Sequence, residues 1–295
     1  MAAIINVNGR ITDEAGAVVS VMDHGFLYGE GVYEAMRSYG RRLFLFDRHL
    51  ARMRRSAAGI QLPFPWSDSE IAARVAETMA VMERDVLRAA DATENYARIL
   101  LTRGIGELNY DVDACPRPTL VIIVKPHTPH PAERFTRGVK ITVAPMIRNH
   151  PGSVDPAIKS NNLLNNVLAA QFARRAGAFE AVLNNYRGEL AECSRTNLFV
   201  VRHGEARTPP LDAGLLPGIT RAFVLEIGAS AGVPAREAVL TDEDLFAADE
   251  VFLTGTTTEV MPVVRIDDHV VGDGTPGPAA RHLLQEYRRR AALGA

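Results

Sequence analysis

The stretch EVFLTGTTTEVMPVV at residues 250–264 constrains the fold more than any other part of the chain. Two strand-length apolar runs flank a short turn of threonine and glycine, which reads as strand, sharp turn, strand. Elsewhere AIINVNG, RRLFLF, YARILLTRG and TLVIIVKP read as strands in the first half, and VKITVAP opens the second. EAVLNN and TNLFVVRHG read as a strand pair joined by the turn YRGE. Such mixed connections argue against both a doubly wound sheet and a TIM barrel, so the expected class is mixed α/β (α+β).

Helical periodicity fills the intervals. DRHLARMRRSAAGI predicts a helix with Asp47 as cap and Leu50, Met53, Ala57 and Ile60 on one face. Ser67 and Glu70 have capping-box spacing ahead of Ile71, Val75 and Met82. After Lys159 a third helix is expected with Leu164, Val167, Leu168 and Phe172 inward. KPHTPHPAERFTRG has no periodicity and several prolines. The expected division is a small N-terminal α/β domain over 1–125, an interdomain loop over 126–138 and a large C-terminal domain over 139–295. A chain of 295 residues, 47% apolar, can bury the cores this requires.

The balance of 33 basic and 35 acidic residues offers no surface for a polyanion, so nucleic acid is not an expected partner. The longest apolar runs, such as LVIIV at 120–124, are strand-sized, and no membrane span is expected. Cys115 and Cys193 lack CxxC spacing, and MAAIINVNGR lacks the features of a signal peptide. A reduced, cytoplasmic protein is the expectation, with no metal because no ligand set accompanies the cysteines.

Several short segments suit covalent chemistry on a phosphorylated aldehyde. Lys159, in DPAIKSNNLLNN, is an amine placed where it can form an imine, or else a solvated lysine. Gly218, Ile219 and Thr220 in LPGITRAF stand at a helix start, where free N–H groups hold phosphate; the plainer reading is an N-cap at Thr220. In TGTTTE, Thr256 suits a phosphate and Thr257 with Thr258 a substrate carboxylate, although threonine also simply favours strands. Glu192 can pair with a protonated ring nitrogen, or bond Arg195 or Thr196 in a tight turn. Arg52 lies off the Leu50–Met53–Ala57 stripe and is expected to point away from that core toward a phosphate; Arg48, Arg54 and Arg55 share its helix.

Taken together, HGFLYGEGVYEAMR (24–37), RHLARM (48–53), IKSNNLLNNVLA (158–169), ECSRTNLF (192–199), LPGITR (216–221) and FLTGTTTEVMPV (252–263) carry a resemblance. They occur in the order seen in class IV, or fold type IV, pyridoxal-phosphate (PLP) enzymes, over nearly the whole chain. The resemblance implies a smaller N-terminal α/β domain, a larger C-terminal domain with a barrel-like sheet, and a homodimer whose sites are completed across its interface. It also implies Lys159 as the lysine bonded to the cofactor, Glu192 as partner of the pyridine nitrogen, and a phosphate cup of Arg52, the Ile219 and Thr220 amides beside Gly218, and Thr256. The implied activity is ping-pong transamination between an amino donor and a 2-oxo acid acceptor.

Branched-chain aminotransferases are the nearest match. YGEGVYEAMR resembles their YGxxVFEGIR, YARILLTRG their YIR strand, and RGIGELNYDVDACPRPT the RGxGxLG and CPKPT of some members. This implies a substrate end lined by Tyr28, Tyr33, Arg37, Tyr96 and Arg98, with Arg37 and Arg98 suited to a second carboxylate. Leu163 stands where those enzymes carry tyrosine, and GVYE and TTTE are more similar to D-amino-acid aminotransferases. Against the D-specific reading, IGELNYD lacks the arginine and histidine those enzymes carry after TRG. Branched-chain L-amino acids with 2-oxoglutarate are therefore expected. The alternatives are a D-amino-acid or R-selective amine transaminase, an aminodeoxychorismate lyase, or a PLP-binding protein with a decayed site. His24 reads as a structural hydrogen-bonding residue and Cys193 as packing.

Overall fold

The computed structural model describes residues 3–87 and 94–294. The chain divides into two compact units, one of Met1–Thr128, Ile158–Asn162 and Gly294–Ala295, the other of Pro129–Ala157 and Leu163–Leu293. The Lys159 segment thus belongs with the first unit, although second-unit sequence flanks it.

In the first unit, strands β1 (Ile4–Val7), β2 (Arg10–Thr12), β3 (Gly31–Tyr39), β4 (Arg42–Leu43), β5 (Asn95–Thr102) and β6 (Thr119–Pro126) form one sheet in the order β2-β1-β6-β5-β3-β4. All its pairings are antiparallel. The short helix α1 (His24–Leu27) precedes β3, and α2 (Phe46–Gly59) and α3 (Asp68–Met82) fill the span between β4 and β5. Strand alternation sends Val32, Met36, Ala97, Ile99, Leu101, Ile122 and Val124 into one core with Leu50, Met53, Ala57, Ile71, Val75 and Met82 of the helices. Ser67 and Glu70 form the expected capping box of α3.

RRLFLF does not form a strand throughout. Only Arg42–Leu43 pair with β3; Leu45 then takes a left-handed φ of 53° and α2 begins at Phe46. Asp47 is accordingly not the cap but an acid within the first turn, where it still faces the positive helix end.

The second unit contains α4 (Ala132–Arg137), β7 (Val139–Val143), α5 (Leu164–Arg175), β8 (Glu180–Asn184), β9 (Leu190–Cys193), β10 (Asn197–Arg202), β11 (Glu205–Thr208), α6 (Ile219–Ile227), β12 (Ala235–Glu237), α7 (Asp242–Phe246), β13 (Glu250–Gly255), β14 (Glu259–Ile266), β15 (His269–Val270) and α8 (Pro278–Leu293). Its sheet runs β12-β11-β10-β13-β14-β7-β8-β9, with β15 against β14. β9 and β10 stand at opposite ends of the arc β10-β13-β14-β7-β8-β9, yet only residues 194–196 join them, closed by Cys193 N–H to the Thr196 carbonyl at 2.8 Å. The sheet must therefore curl back on itself into a half-barrel. Ile141, Val182, Leu198, Leu253, Met261 and Val263 fill one of its cores.

The strand, turn, strand reading of EVFLTGTTTEVMPVV holds as β13 and β14. The turn YRGE, however, joins β8 to β9 rather than to TNLFVVRHG, whose β10 pairs with β11 and β13. Helix α5 turns only part of the expected face inward: Phe172 packs against the core as expected. Leu164, Val167 and Leu168 are exposed, whereas Ala169 and Ala173 are buried with Ala144, Ala181 and Leu183. Small side chains let this helix lie close on its sheet, a signal that a search for large apolar residues passes over. α4 occupies part of the stretch that showed no periodicity, and six residues are too few to display a stripe. No helix among the described residues is long and apolar enough to cross a membrane.

Candidate functional site

Alternation along β3 and β5 leaves a second, half-buried face opposite the core of the first unit. The register sets Tyr33 beside Leu100, Ala35 beside Arg98, and Arg37 beside Tyr96, so Tyr33, Arg37, Tyr96 and Arg98 share that face. The Arg98 guanidinium carbon lies 4.1 Å from the Tyr33 ring centroid, and Lys159 Nζ lies 4.6 Å from the same centroid. Burial raises the Tyr96 hydroxyl above its ordinary value, against the charge of Arg98 and its hydrogen bond.

The edge of β3 explains how Lys159 reaches this face. β4 covers only Ser38 and Tyr39, and the Lys159 segment docks on the uncovered end of the strand. Tyr33 N–H donates to the Lys159 carbonyl (3.0 Å), Asn161 N–H to the Gly31 carbonyl (2.8 Å), and Lys159 N–H to Ser56 Oγ of α2 (3.0 Å). A five-residue excursion of chain is thereby pinned on both sides of the lysine. Tyr28 stands apart, its ring 4.9 Å from His24 and 5.1 Å from Tyr110. His24 is buried, with Nε2 2.8 Å from the Glu107 carbonyl and Nδ1 3.2 Å from Glu30, a structural role.

Arg52 does not point away from the core as expected. It is 4% exposed, and its Nε and Nη2 donate to Glu34 Oε1 and Oε2 at 2.7 and 2.8 Å. His49 Nδ1 shares Glu34 Oε2 at 2.6 Å. Burial works to raise the Glu34 carboxyl, but the charge and hydrogen bonds of Arg52, then His49, hold it down to about 2. Burial lowers His49, and the Arg52 and Lys159 charges add to this against the pull of Glu34. Sequence reading missed Glu34, His49 and Ser56. The available signal was Glu34 at an inward position between Val32 and Met36, where an acid requires partners.

In the second unit the candidates gather around Thr196 and Asn197. Glu192 of β9 is 5% exposed and accepts from Arg148 Nε at 2.6 Å, Leu216 N–H at 3.1 Å and Asn197 Nδ2 at 3.4 Å. Arg195 turns instead to Glu180, which also takes Arg195 N–H and Ser194 Oγ and so fixes the turn after Glu192. Asn197 Nδ2 also donates to the Leu216 carbonyl at 3.0 Å, tying Glu192 to the loop before α6. Arg148 and Asn197 were further residues that sequence reading did not name.

The cap of α6 is Gly218 rather than Thr220, with no side-chain hydrogen bond, and a Cβ on Gly218 would collide with Asn197 Oδ1. Ile219 and Thr220 are the first helical residues and both are buried. Asn197 pairs with Thr254 across β10 and β13, and the turn Thr256–Thr258 follows at once. A Cβ on Gly255 would come within 3.1 Å of Thr196 Cγ2. The buried Oγ1 of Thr254 has no hydrogen-bond partner among the described residues, while the Thr196 side chain faces the Cys193 thiol. An uncapped helix start, a glycine-narrowed turn and an unsatisfied hydroxyl suit an oxyanion such as phosphate. Among the described residues no cluster of histidine, cysteine and acidic side chains is built to hold a metal.

Similarity to known proteins points the same way. The chain is 36% identical over 285 residues to a Methanocaldococcus jannaschii protein provisionally named branched-chain-amino-acid aminotransferase, covering 96% of this chain and 95% of that one. It is 34% identical to a Listeria monocytogenes D-alanine aminotransferase, over 95% and 93% of the two chains. The crystal structure of a T.th. branched-chain amino acid aminotransferase with pyridoxamine 5'-phosphate superposes with a TM-score of 0.90 at 29% identity, covering 100% of this chain and 96% of that one. The profile of the amino-transferase class IV family matches residues 31–266. This chain belongs to the class IV aminotransferases, PLP-dependent enzymes of fold type IV.

Proposed function

We propose that the enzyme moves the amino group of branched-chain L-amino acids to 2-oxoglutarate. The observation that carries this reading is the face on which Lys159 Nζ and the Arg98 guanidinium both lie against Tyr33. An aromatic floor suits an aliphatic side chain, and a guanidinium fork suits the second carboxylate of glutamate or its oxo acid. Bound PLP supplies an aldehyde carbon for the amine and a ring that accepts electrons. Lys159 moves the substrate α-proton, as base and then as acid. Glu192, oriented by Arg148 and Asn197, holds the proton of the pyridine nitrogen. Gly218, the Ile219 and Thr220 amides, Thr256 and Arg52 hold the phosphate, while Thr257 and Thr258 receive the substrate carboxylate. Tyr28 and Arg37 complete the substrate end.

Amine transfer to 2-oxoglutarate from L-leucine, D-alanine and (R)-1-phenylethylamine, and from L- and D-glutamate to 4-methyl-2-oxopentanoate, tests the reading. Reaction with L-leucine and L-glutamate alone supports it. Reaction only with the D-amino acids or the R-amine replaces it with the second reading, which Leu163, TTTE and the D-alanine aminotransferase relative favour. Lys159→Ala should abolish transfer from every donor.

The proposed assembly is a homodimer in the cytoplasm. Exposed Leu164, Val167 and Leu168 on α5, and Val18, Val21 and Phe26 in the first unit, are apolar surfaces that a second copy would cover. The two free, buried cysteines suit a reducing compartment. A monomer mass by light scattering would contradict the dimer.

A further inference from the structure

The threonine turn proposed as a seat for anions carries a negative charge of its own. Glu259 pairs with Gly255 across the close of the Thr256–Thr258 turn, and it takes a left-handed φ of 57° although it is not glycine. Its side chain is 3% exposed. Paired Cα atoms of an antiparallel ladder stand about 4.5–5.5 Å apart and consecutive ones about 3.8 Å, so the Thr256 Cα lies within about 9 Å of the Glu259 Cα. Thr254, whose buried Oγ1 has no hydrogen-bond partner among the described residues, pairs with Val260, the residue after Glu259. A buried carboxylate this close to a phosphate seat opposes the ligand by like charge, and more strongly where solvent is excluded.

The charge is met from α8. Arg288 Nε and Nη2 both donate to Glu259 Oε2, at 2.8 and 2.6 Å. The Arg288 guanidinium carbon also lies 4.6 Å from the ring centroid of Phe135 on α4. Tyr287, the preceding residue, is buried and meets Phe223 of α6 edge to face, with ring centroids 5.7 Å apart. Helix α8 is thereby held against the helix whose start offers the Ile219 and Thr220 amides, while its next residue reaches the close of the threonine turn. Arg289 and Arg290 turn instead to Glu286 of their own helix.

We infer that Arg288 is a positioning residue for phosphate binding: by cancelling the charge of Glu259 and holding its side chain, it lets the Thr256–Thr258 turn receive the dianionic phosphate of the cofactor. Arg288 acts through Glu259 and adds no chemical step. The inference rests on the proposed placing of the phosphate at this turn.

Dialysis to equilibrium of protein loaded with PLP, or with pyridoxal, which lacks the phosphate, yields two dissociation constants whose ratio isolates the phosphate contribution. Arg288→Met should reduce the preference for PLP over pyridoxal by at least about tenfold, as an uncompensated charge at this range warrants. Arg288→Lys should keep most of the preference. Glu259→Gln added to Arg288→Met should restore most of it, because the charge opposing the phosphate is then gone. Arg290→Met, which removes another ion pair from the same helix, should leave the ratio within about twofold. A general loosening of the fold would weaken PLP and pyridoxal alike. A PLP preference that survives Arg288→Met, or a loss that Glu259→Gln does not relieve, overturns the inference and leaves the phosphate seat in place. A wild type that binds pyridoxal as tightly as PLP overturns the inference together with the seat on which it rests.

Discussion

At the scale of single residues, the buried group Glu34–His49–Arg52 fixes the orientation of the Arg52 guanidinium. Glu34 takes two donors from Arg52 and one contact from His49, all below 9% exposure. Glu34→Gln leaves a guanidinium buried without its counter-charge, and loss of one partner of such a pair costs about 3–5 kcal/mol. Urea unfolding should show a midpoint lowered accordingly; an unchanged midpoint would mean that the pair is energetically idle. The pH dependence has a determined sign. His49 is depressed from 6.5, so as pH falls below 6.5 the unfolded chain takes up a proton that the folded chain refuses, and stability declines. Glu34 adds a second loss as pH falls from 4.5 toward about 2, where the unfolded carboxylate protonates first. His49→Asn should flatten the curve of thermal midpoint against pH just below 6.5 and leave the acid limb. The sequence showed Arg52 but not its orientation, because the helical stripe was drawn through large apolar residues alone. His49, Arg52 and Ser56 follow the same spacing of three and four as Leu50, Met53 and Ala57, and they line the buried side beside them.

At the scale of elements, what could be read from sequence depended on whether the signal was local. Period-two alternation and capping chemistry are local, and β1, β5, β6 and the Ser67 cap of α3 were legible from them, whereas β3 was not read as a strand. Pairing partners are not local: YRGE marks a turn correctly, but nothing in it says that LAEC rather than NLFVVR returns beside EAVLN. The site divided in the same way. The Lys159, LPGIT and TGTTTE segments stood out by composition, whereas Arg148 and Ser56 reach Glu192 and Lys159 only through tertiary packing. Helix α5 is the clearest failure of periodicity, since Ala169 and Ala173, beside the expected Phe172, make its sheet contact while Leu164, Val167 and Leu168 stay exposed. Ala169 is fully buried there. Ala169→Leu should destabilise the protein by about 1–3 kcal/mol through overpacking against the Leu183 neighbourhood. A loss of less than about 0.5 kcal/mol in denaturant would show that the helix can lift from β8 without penalty.

At the scale of the whole molecule, the two units have separate hydrophobic cores, yet the chain passes between them at residues 128/129, 157/158, 162/163 and 293/294. Separate cores favour separate unfolding transitions, as is usual for chains of more than one domain. The repeated passages mean that neither unit is made from one continuous stretch of sequence, and the first is complete only with Ile158–Asn162 in place. The single tryptophan provides a selective probe, because Trp66 packs against the core of the first unit. Circular dichroism reports both units together. In urea, the Trp66 fluorescence transition and the dichroism transition should not coincide. Leu198→Ala opens the second core at a fully buried position and should cost about 2–5 kcal/mol there. It should move the dichroism curve while the Trp66 midpoint stays within about 0.5 kcal/mol of its original stability. If both curves shift together, the passages of chain outweigh the separation of the cores, and the protein unfolds as one cooperative body.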